Sequence, residues 1–272
     1  FSAPLIFIGG LLFGIGMVLS NGCASRALVL LGRGNLRSLV VITIIGVAAQ
    51  MTLKGLIAPA RLAFLNLTQT TPAAISAPAL LTTLGIDATV ARIAVALIAS
   101  GALFIFAFSD QKFRRARGQI AAGITVGLLI TAGWLATGWF GADEFNPIPV
   151  TSLTFISPIA DSLQYTMLST GMSLNFGIAL VAGVLTGSLL TAALTGRFRL
   201  EGYTSPNHMV RSISGAALMG SGGAMAYGCS IGQGLTGLST LALPSLIAAV
   251  GIVLGAAFGI RGFARVPAFA MR

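Results

Sequence analysis

Charge is scarce in this chain: 8% of its 272 residues are Asp, Glu, Lys or Arg, against 56% that are hydrophobic. So little charge, with a mean hydropathy of +0.94, excludes an ordinary water-soluble domain. Cysteine is confined to Cys23 and Cys229, neither with a local partner, which excludes a disulfide framework and a cysteine-rich zinc site. No metal or cofactor is expected. The alternating polarity of a membrane β-barrel is missing as well, so membrane spans here must be helical. The acids are Asp87, Asp110, Asp143, Glu144, Asp161 and Glu201, all at span ends or in loops. No carboxylate is therefore placed mid-span to carry a coupling proton.

What the chain does have is a series of apolar runs of about 20 residues, the length that crosses roughly 30 Å of hydrocarbon. Seven crossings are read: Ala3–Leu31, Leu36–Ile57, Ala88–Phe108, Gln119–Phe140, Leu174–Leu194, Ser212–Thr240 and Leu241–Ile260. The net charge of +10 invites a nucleic-acid reading, but its distribution rejects it. Lys112, Arg114, Arg115 and Arg117 share one loop; Arg197, Arg199 and Arg211 another; Arg261, Arg265 and Arg272 the tail; Arg33 and Arg37 the first turn. Basic residues in short loops mark the cytoplasmic side of a bacterial-type inner membrane, and place the C-terminus there. The 62–86 stretch has no charge and 142–173 has only acids, so both are assigned outside. Because 142–173 is too long for a bare loop, Ser152–Met167 is expected to form a short external or re-entrant helix with Pro158 near its start.

An internal repeat runs through this layout. Laying Cys23 on Cys229 brings Gly14, Gly16 and Gly22 onto Gly220, Gly222 and Gly228. Loop charges send the first copy inward and the second outward, the inverted arrangement frequent among secondary transporters. The expected fold is thus an all-α polytopic membrane protein. Its inverted repeats carry two broken or re-entrant helices that meet near the midplane. One transmembrane domain is expected over 1–272, with repeat cores at 1–60 and 151–260. Residues 151–195 have no counterpart before Phe1, so a further N-terminal portion of about 50–100 residues is expected upstream.

Both copies break at a Gly-Cys pair, Gly22-Cys23 and Gly228-Cys229. Glycine lets a helix stop inside the membrane. Short helices restarting at Ala24 and Ser230 would point their first amides at the cysteines, and helix N-termini favour anions. Ser25 and Ser230 add hydroxyls, Arg26 a full positive charge, and Gln233 a carboxamide one turn beyond Cys229. A thiol is a weak donor and polarisable acceptor, suited to a large diffuse anion with a terminal sulfur. Competing readings stay open. The cysteines also fit as small buried residues, and Arg26 can face the site or snorkel to the edge. Lys54, Arg61 and Arg92 either attract anions or anchor the interface. Asn21 and Tyr227 are weaker candidates; His208 is expected to be solvated. The glycine runs 251/255/259, 123/127 and 183/187 read as helix-packing surfaces.

The segments "GMVLSNGCASR…LGRGNLRS" and "AMAYGCSIGQGLTG" resemble the two signatures of the YeeE/YedE membrane proteins. That resemblance implies thiosulfate uptake, with some members linked to other sulfur or selenium compounds. It also implies an hourglass-shaped helical protein whose cysteine thiols relay thiosulfate through a constriction by S–H···S contacts. Cys23 and Cys229 match that pattern, whereas a further N-terminal cysteine found in family members has no counterpart in this sequence. The partners expected are thiosulfate or a similar sulfur oxyanion, the lipid bilayer and a cytoplasmic sulfur-accepting protein. The alternative is a membrane-embedded thiol sulfurtransferase or redox protein. Such chemistry needs an activated thiolate beside a base, and neither motif carries a histidine or acid.

Overall fold

The computed structural model describes residues 1–69, 76–82, 85, 87–141 and 149–264. Among them every regular element is helical, apart from two isolated bridges, Asn35 with Glu201 and Ser76 with Ala242. The first apolar run forms α1, Ala3–Leu19, and α2, Ala24–Gly32, with the break between them. Ser2 starts α1 by accepting a hydrogen bond from the Leu5 amide, with Pro4 in the first turn where its missing N–H costs nothing. Asn35 caps α3, Leu36–Leu53, in the same way through the Ser38 amide. There follow α4, Ala58–Leu67, α5, Ala77–Thr82, α6, Ala88–Ser109, and α7, Gln111–Arg115. Next is α8, Arg117–Leu135, prolonged by a π-helical turn over Ala136–Phe140. The remainder is α9, Ile156–Met167, α10, Phe176–Leu194, α11, Pro206–Met225, a π-helical turn Gly232–Gly237, and α12, Leu243–Ala264.

The chain forms two compact units. One comprises Phe1–Thr70, Thr154–Leu235 and Pro244–Arg272; the other comprises Thr71–Leu153 and Thr236–Leu243. Among the described residues six helical segments are long and apolar enough to cross a membrane: Ala3–Gly32, Leu36–Leu53, Ala88–Ser109, Arg117–Trp139, Phe176–Leu194 and Leu243–Gly262. They correspond to six of the seven expected crossings. The remaining one, expected over Ser212–Thr240, falls on α11 and the segment after its break, which does not reach that apolarity. The reason is packing: α11 buries Gly215, Met219, Gly220, Gly222 and Gly223 against other helices, and small residues shielded by protein need no lipid-grade hydropathy. The short helix expected within Ser152–Met167 is α9, with Pro158 in its first turn. Arg265, Arg272, Asp143 and Glu144, on which the orientation partly rests, lie outside the described residues.

In the larger unit α1 is clamped between two helices by backbone contact. A Cβ added at Gly9 would lie 2.6 Å from the Ala226 nitrogen, and one at Gly16 would lie 2.5 Å from the Gly215 carbonyl oxygen. One at Gly222 would lie 2.5 Å from the Phe13 nitrogen. Rising numbers on α1 meet falling numbers on α11, so these two helices run antiparallel. The register that lays Cys23 on Cys229 carries Gly9 to Gly215 and Gly16 to Gly222. The Gly16–Gly215 and Gly9–Gly222 approaches therefore exchange with one another. On its other side α1 runs parallel to α12, where Gly251 abuts the Phe7 carbonyl, Gly255 the Leu11 carbonyl and Gly259 the Val18 side chain. Here the expected glycine packing surface is present. At Gly123, Gly127, Gly183 and Gly187 it is not: no described atom lies within 4 Å of an added Cβ.

The main apolar core gathers Phe13, Leu28, Ile45, Phe155, Ile156, Ile159 and Met219 from α1, α2, α3, the start of α9 and α11. Burying such side chains contributes about 1.5–3 kcal/mol each where water is the alternative. Between α10 and α11 the chain runs as a strap along the α2–α3 turn. The Arg199 amide donates to the Arg33 carbonyl at 3.1 Å and the Leu36 amide to the Glu201 carbonyl at 2.9 Å. Gly34, at φ 95°, allows this approach, since a Cβ there would sit 2.6 Å from the Arg199 carbonyl oxygen. In the smaller unit, Ser152 donates to the Ile130 carbonyl at 2.7 Å and Thr137 to the Thr151 carbonyl at 2.6 Å, which ties the 149–153 segment to α8.

Candidate functional site: two Gly-Cys helix breaks

The two breaks share one backbone design. At the first, the Ser20 amide still donates to the Gly16 carbonyl, Asn21 turns left-handed at φ 59°, and the Gly22 amide reaches back five residues to the Met17 carbonyl. At the second, the Ala226 amide donates to the Gly222 carbonyl, Tyr227 stands at φ 56°, and the Gly228 amide reaches the Gly223 carbonyl. The left-handed residue is thus not the glycine itself but the residue before it. Gly22 is needed for a different reason, its own φ of 158°, which a side chain disfavours. Gly228 has no positive φ, and its lack of a side chain makes room for Gln233, whose Cγ would be 3.1 Å from an added Cβ.

Each break also leaves carbonyls that the helix no longer satisfies. Arg26 donates to the Asn21 carbonyl at 3.4 Å, and Gln233 donates to the Ala226 carbonyl at 2.9 Å. The two side chains fold back over their glycines to do one job, from positions that a simple register alignment keeps apart. Gln233 Oε1 stays buried with no hydrogen-bond partner among the described residues.

The thiols themselves differ. Cys23 is the N-cap of α2, half-buried, with Sγ 3.0 Å from the Ser25 hydroxyl. Ala24, immediately after it, is fully buried. Cys229 is 1% exposed, and its Sγ accepts the Gly232 amide at 3.2 Å. The Ile231 and Phe155 amides are also directed at that sulfur. The start of α9 and the restart after the second break thus converge on one sulfur with N–H groups. Ser230, beside it, is half-buried. Neither cysteine is in a disulfide, and Cys229 and Ala24 belong to the same core.

A cavity of about 150 Å³ opens against Cys23, lined by Asn21, Arg26, Asn35, Arg37, His208 and Ser212 among others. That is room for about five waters or one tetrahedral anion. His208 is not the solvated loop residue expected. It sits in the first turn of α11, capped by Ser205, with Nε2 3.3 Å from Asn21 Nδ2 and Nδ1 buried without a hydrogen-bond partner among the described residues. Tyr203 packs edge-on at 5.9 Å. Asn35, Arg37 and Ser38, from the LGRGNLRS segment, also line the cavity with Ser212; the sequence alone names none of the four as a site residue. Of the remaining cations, Lys54 lies 3.9 Å from Asp161 and donates to Gln164, and Arg61 donates to the Thr52 carbonyl at 3.1 Å. Both are tied down where they stand and away from the breaks. Among the described residues no group of three or more His, Cys, Asp or Glu is placed to hold a metal ion.

A family model described as sulphur transport matches residues 1–258. The chain is 27% identical over 264 residues to the thiosulfate transporter TsuA of Spirochaeta thermophila, a match covering 91% of this chain and 74% of that protein. To the thiosulfate transporter TsuA of Escherichia coli it is 28% identical over 143 residues, covering 53% of this chain and 38% of that protein.

Proposed function

Since this chain belongs to the sulphur transport family, we propose that it carries thiosulfate or a closely related sulfur oxyanion across the membrane, past the thiols of Cys23 and Cys229. The observation that carries this reading is the pair of Gly-Cys breaks with matching backbone turns and free thiols, Cys229 lying in the same apolar core as Ala24, the residue that follows Cys23. The two relatives described above are named thiosulfate transporters, which supports thiosulfate as the cargo.

The chemistry fits. A diffuse dianion is stabilised by backbone N–H groups without a full countercharge, and so can leave again. The amides around Cys229 are of this kind, and its thiol offers a soft contact for a terminal sulfur. Arg26, Arg37 and His208 surround the cavity next to Cys23, where the sulfonate end would rest before release. Gly22, Ala24, Ser25, Gly228, Ser230 and Gln233 shape the passage by holding the two breaks open. In this reading 1–60 and 151–260 are the two inverted repeats of one transport domain, with the arginine-rich loops and the C-terminus in the cytoplasm. An inside-negative potential opposes a dianion by about 2.3 kcal/mol per charge per 100 mV, so net uptake draws on consumption inside, by a cytoplasmic sulfur-accepting protein.

The test is growth on thiosulfate as sole sulfur source, with labelled uptake, in cells lacking other thiosulfate and sulfate permeases. Cys229→Ala and Cys23→Ala are each expected to cut uptake at least about tenfold, the cost of losing roughly 1.4 kcal/mol at the barrier. Wild-type rates in both variants, at equal membrane abundance, overturn the thiol route.

A further inference from the structure

The G-x3-G pair of α10, Gly183 and Gly187, faces outward, and no described atom lies within 4 Å of an added Cβ at either position. These residues floor a groove of about 450 Å³ between α2 and α10 that includes Val29, Val184 and Thr191. Its hydroxyls are spent locally: Thr191 donates to the Gly187 carbonyl at 2.7 Å and Ser188 to the Leu185 carbonyl at 3.1 Å. The groove therefore presents apolar walls despite its Ser and Thr content. From Gly183 to Thr195 it follows α10 for about 18 Å at 1.5 Å per residue, close to half the thickness of a bilayer's hydrocarbon core.

At its end stand Arg33 and Arg197, and both also line a second cavity, of about 380 Å³, together with Arg199, Asn35 and Glu201. The one carboxylate there is already engaged, since Asn35 Nδ2 donates to Glu201 Oε2 at 2.8 Å. Arg33, Arg197 and Arg199 take part in no ion pair among the described residues. The strap hydrogen bonds, Arg199 amide to Arg33 carbonyl, Glu201 amide to Gly34 carbonyl and Leu36 amide to Glu201 carbonyl, hold this second cavity in place beside the groove.

We propose that the α2–α10 groove and the Arg33–Arg197–Arg199 cavity together form a binding site for one anionic phospholipid. An acyl chain lies along Gly183 and Gly187, and the phosphate sits among the three guanidiniums. A free phosphate has no use for the groove, and a zwitterionic headgroup leaves the excess positive charge uncompensated. Arg matches phosphate oxygens in a planar, two-pronged geometry. The site shares Asn35 with the wall of the cavity at Cys23 but uses neither thiol, and stands whether or not the cargo is thiosulfate.

The full chain, purified from membranes in mild detergent, is analysed for co-purifying phospholipids by class. The wild type is expected to retain anionic phospholipid in excess of its share of the membrane, at about one per chain. Each guanidinium removed lowers that retention roughly fivefold, so Arg33→Gln with Arg197→Gln abolishes the excess while zwitterionic lipid is unchanged. Gly187→Leu, which fills the groove and leaves the arginines, lowers retention as well. Lipid recovered in membrane proportions by the wild type overturns the proposal. So does disulfide-linked dimer formation by Gly187→Cys in membranes, which places a second copy in the groove.

Discussion

The two helix breaks are built on one backbone plan and set in different surroundings. Both turn left-handed one residue before the glycine, at Asn21 and Tyr227, and both have a polar side chain folded back onto the loose carbonyls. Yet Cys23 is half-buried at the edge of a polar cavity, while Cys229 is sealed in the core beneath several amides. The same backbone turn thus stands in two unlike settings: one open and cationic, one dry and neutral. On the transport reading proposed above, the amides at Cys229 hold a negative cargo by dipoles and the guanidiniums near Cys23 draw it onward by charge.

The largest expected contrast is in thiol reactivity. With a small membrane-permeant maleimide, Cys229 is expected to label about a hundredfold more slowly than Cys23, because reaction at a buried thiol waits on local opening. Equal rates, followed by mass spectrometry of the two peptides, would erase the distinction. Next comes the side chain that covers each break. Gln233→Leu strands the Ala226 carbonyl in a buried setting and is expected to cost about 1–3 kcal/mol in stability. Arg26→Leu frees a carbonyl that water can reach, and is expected to cost under about 1 kcal/mol. Unfolding followed in detergent compares the two variants; a reversed order would show that charge, not burial, governs the breaks.

The smallest effect is a control away from both breaks. Burial holds the Asp161 carboxyl above its ordinary value, with Lys54 at 3.9 Å pulling it down. A raised pKa means that the folded chain binds this proton more tightly than the unfolded chain. The associated stability is present below the ordinary carboxylate value and is lost as pH rises through the raised one. Asp161→Asn is expected to flatten this decline as pH rises above the ordinary carboxylate range, by roughly 1–2 °C in melting temperature, without changing thiol labelling. An unchanged pH profile would mean that the carboxyl is as well solvated in the folded chain as in the unfolded one.

Much of this is legible in the residues. Apolar length alone locates six helical segments. The repeated Gly-Cys pair locates both breaks, because a run buried in lipid keeps its backbone bonds helical unless protein takes over the freed groups. α11 carries the limit of that reasoning: the crossing read over Ser212–Thr240 falls on a helix wrapped by protein, which does not reach the apolarity of the six candidate spans among the described residues. The role of Gln233 is hidden in kind, since returning to the Ala226 carbonyl depends on a local chain path that alignment with Arg26 does not reveal. His208 escapes a reading that puts it in a charged loop. A helical reading finds it, since His208, Ser212, Gly215, Met219 and Gly222 fall on one face at spacings of three and four. The glycines divide similarly: 251/255/259 pack tightly, whereas 183/187 lie open, and the same motif gives no hint which.

The contact of α1 with both α11 and α12 through bare backbone has a mechanical corollary. Helices interlocked at that range have no low-energy sliding coordinate, and pulling them apart would forfeit every close approach at once. A rocking cycle that swings one half against the other is therefore disfavoured in this architecture. On the transport reading proposed above, traffic through such a frame advances by side chains swinging aside in turn, more like a turnstile than a revolving door. Its flux should accordingly scale with the concentration difference across the bilayer until the narrowest point saturates.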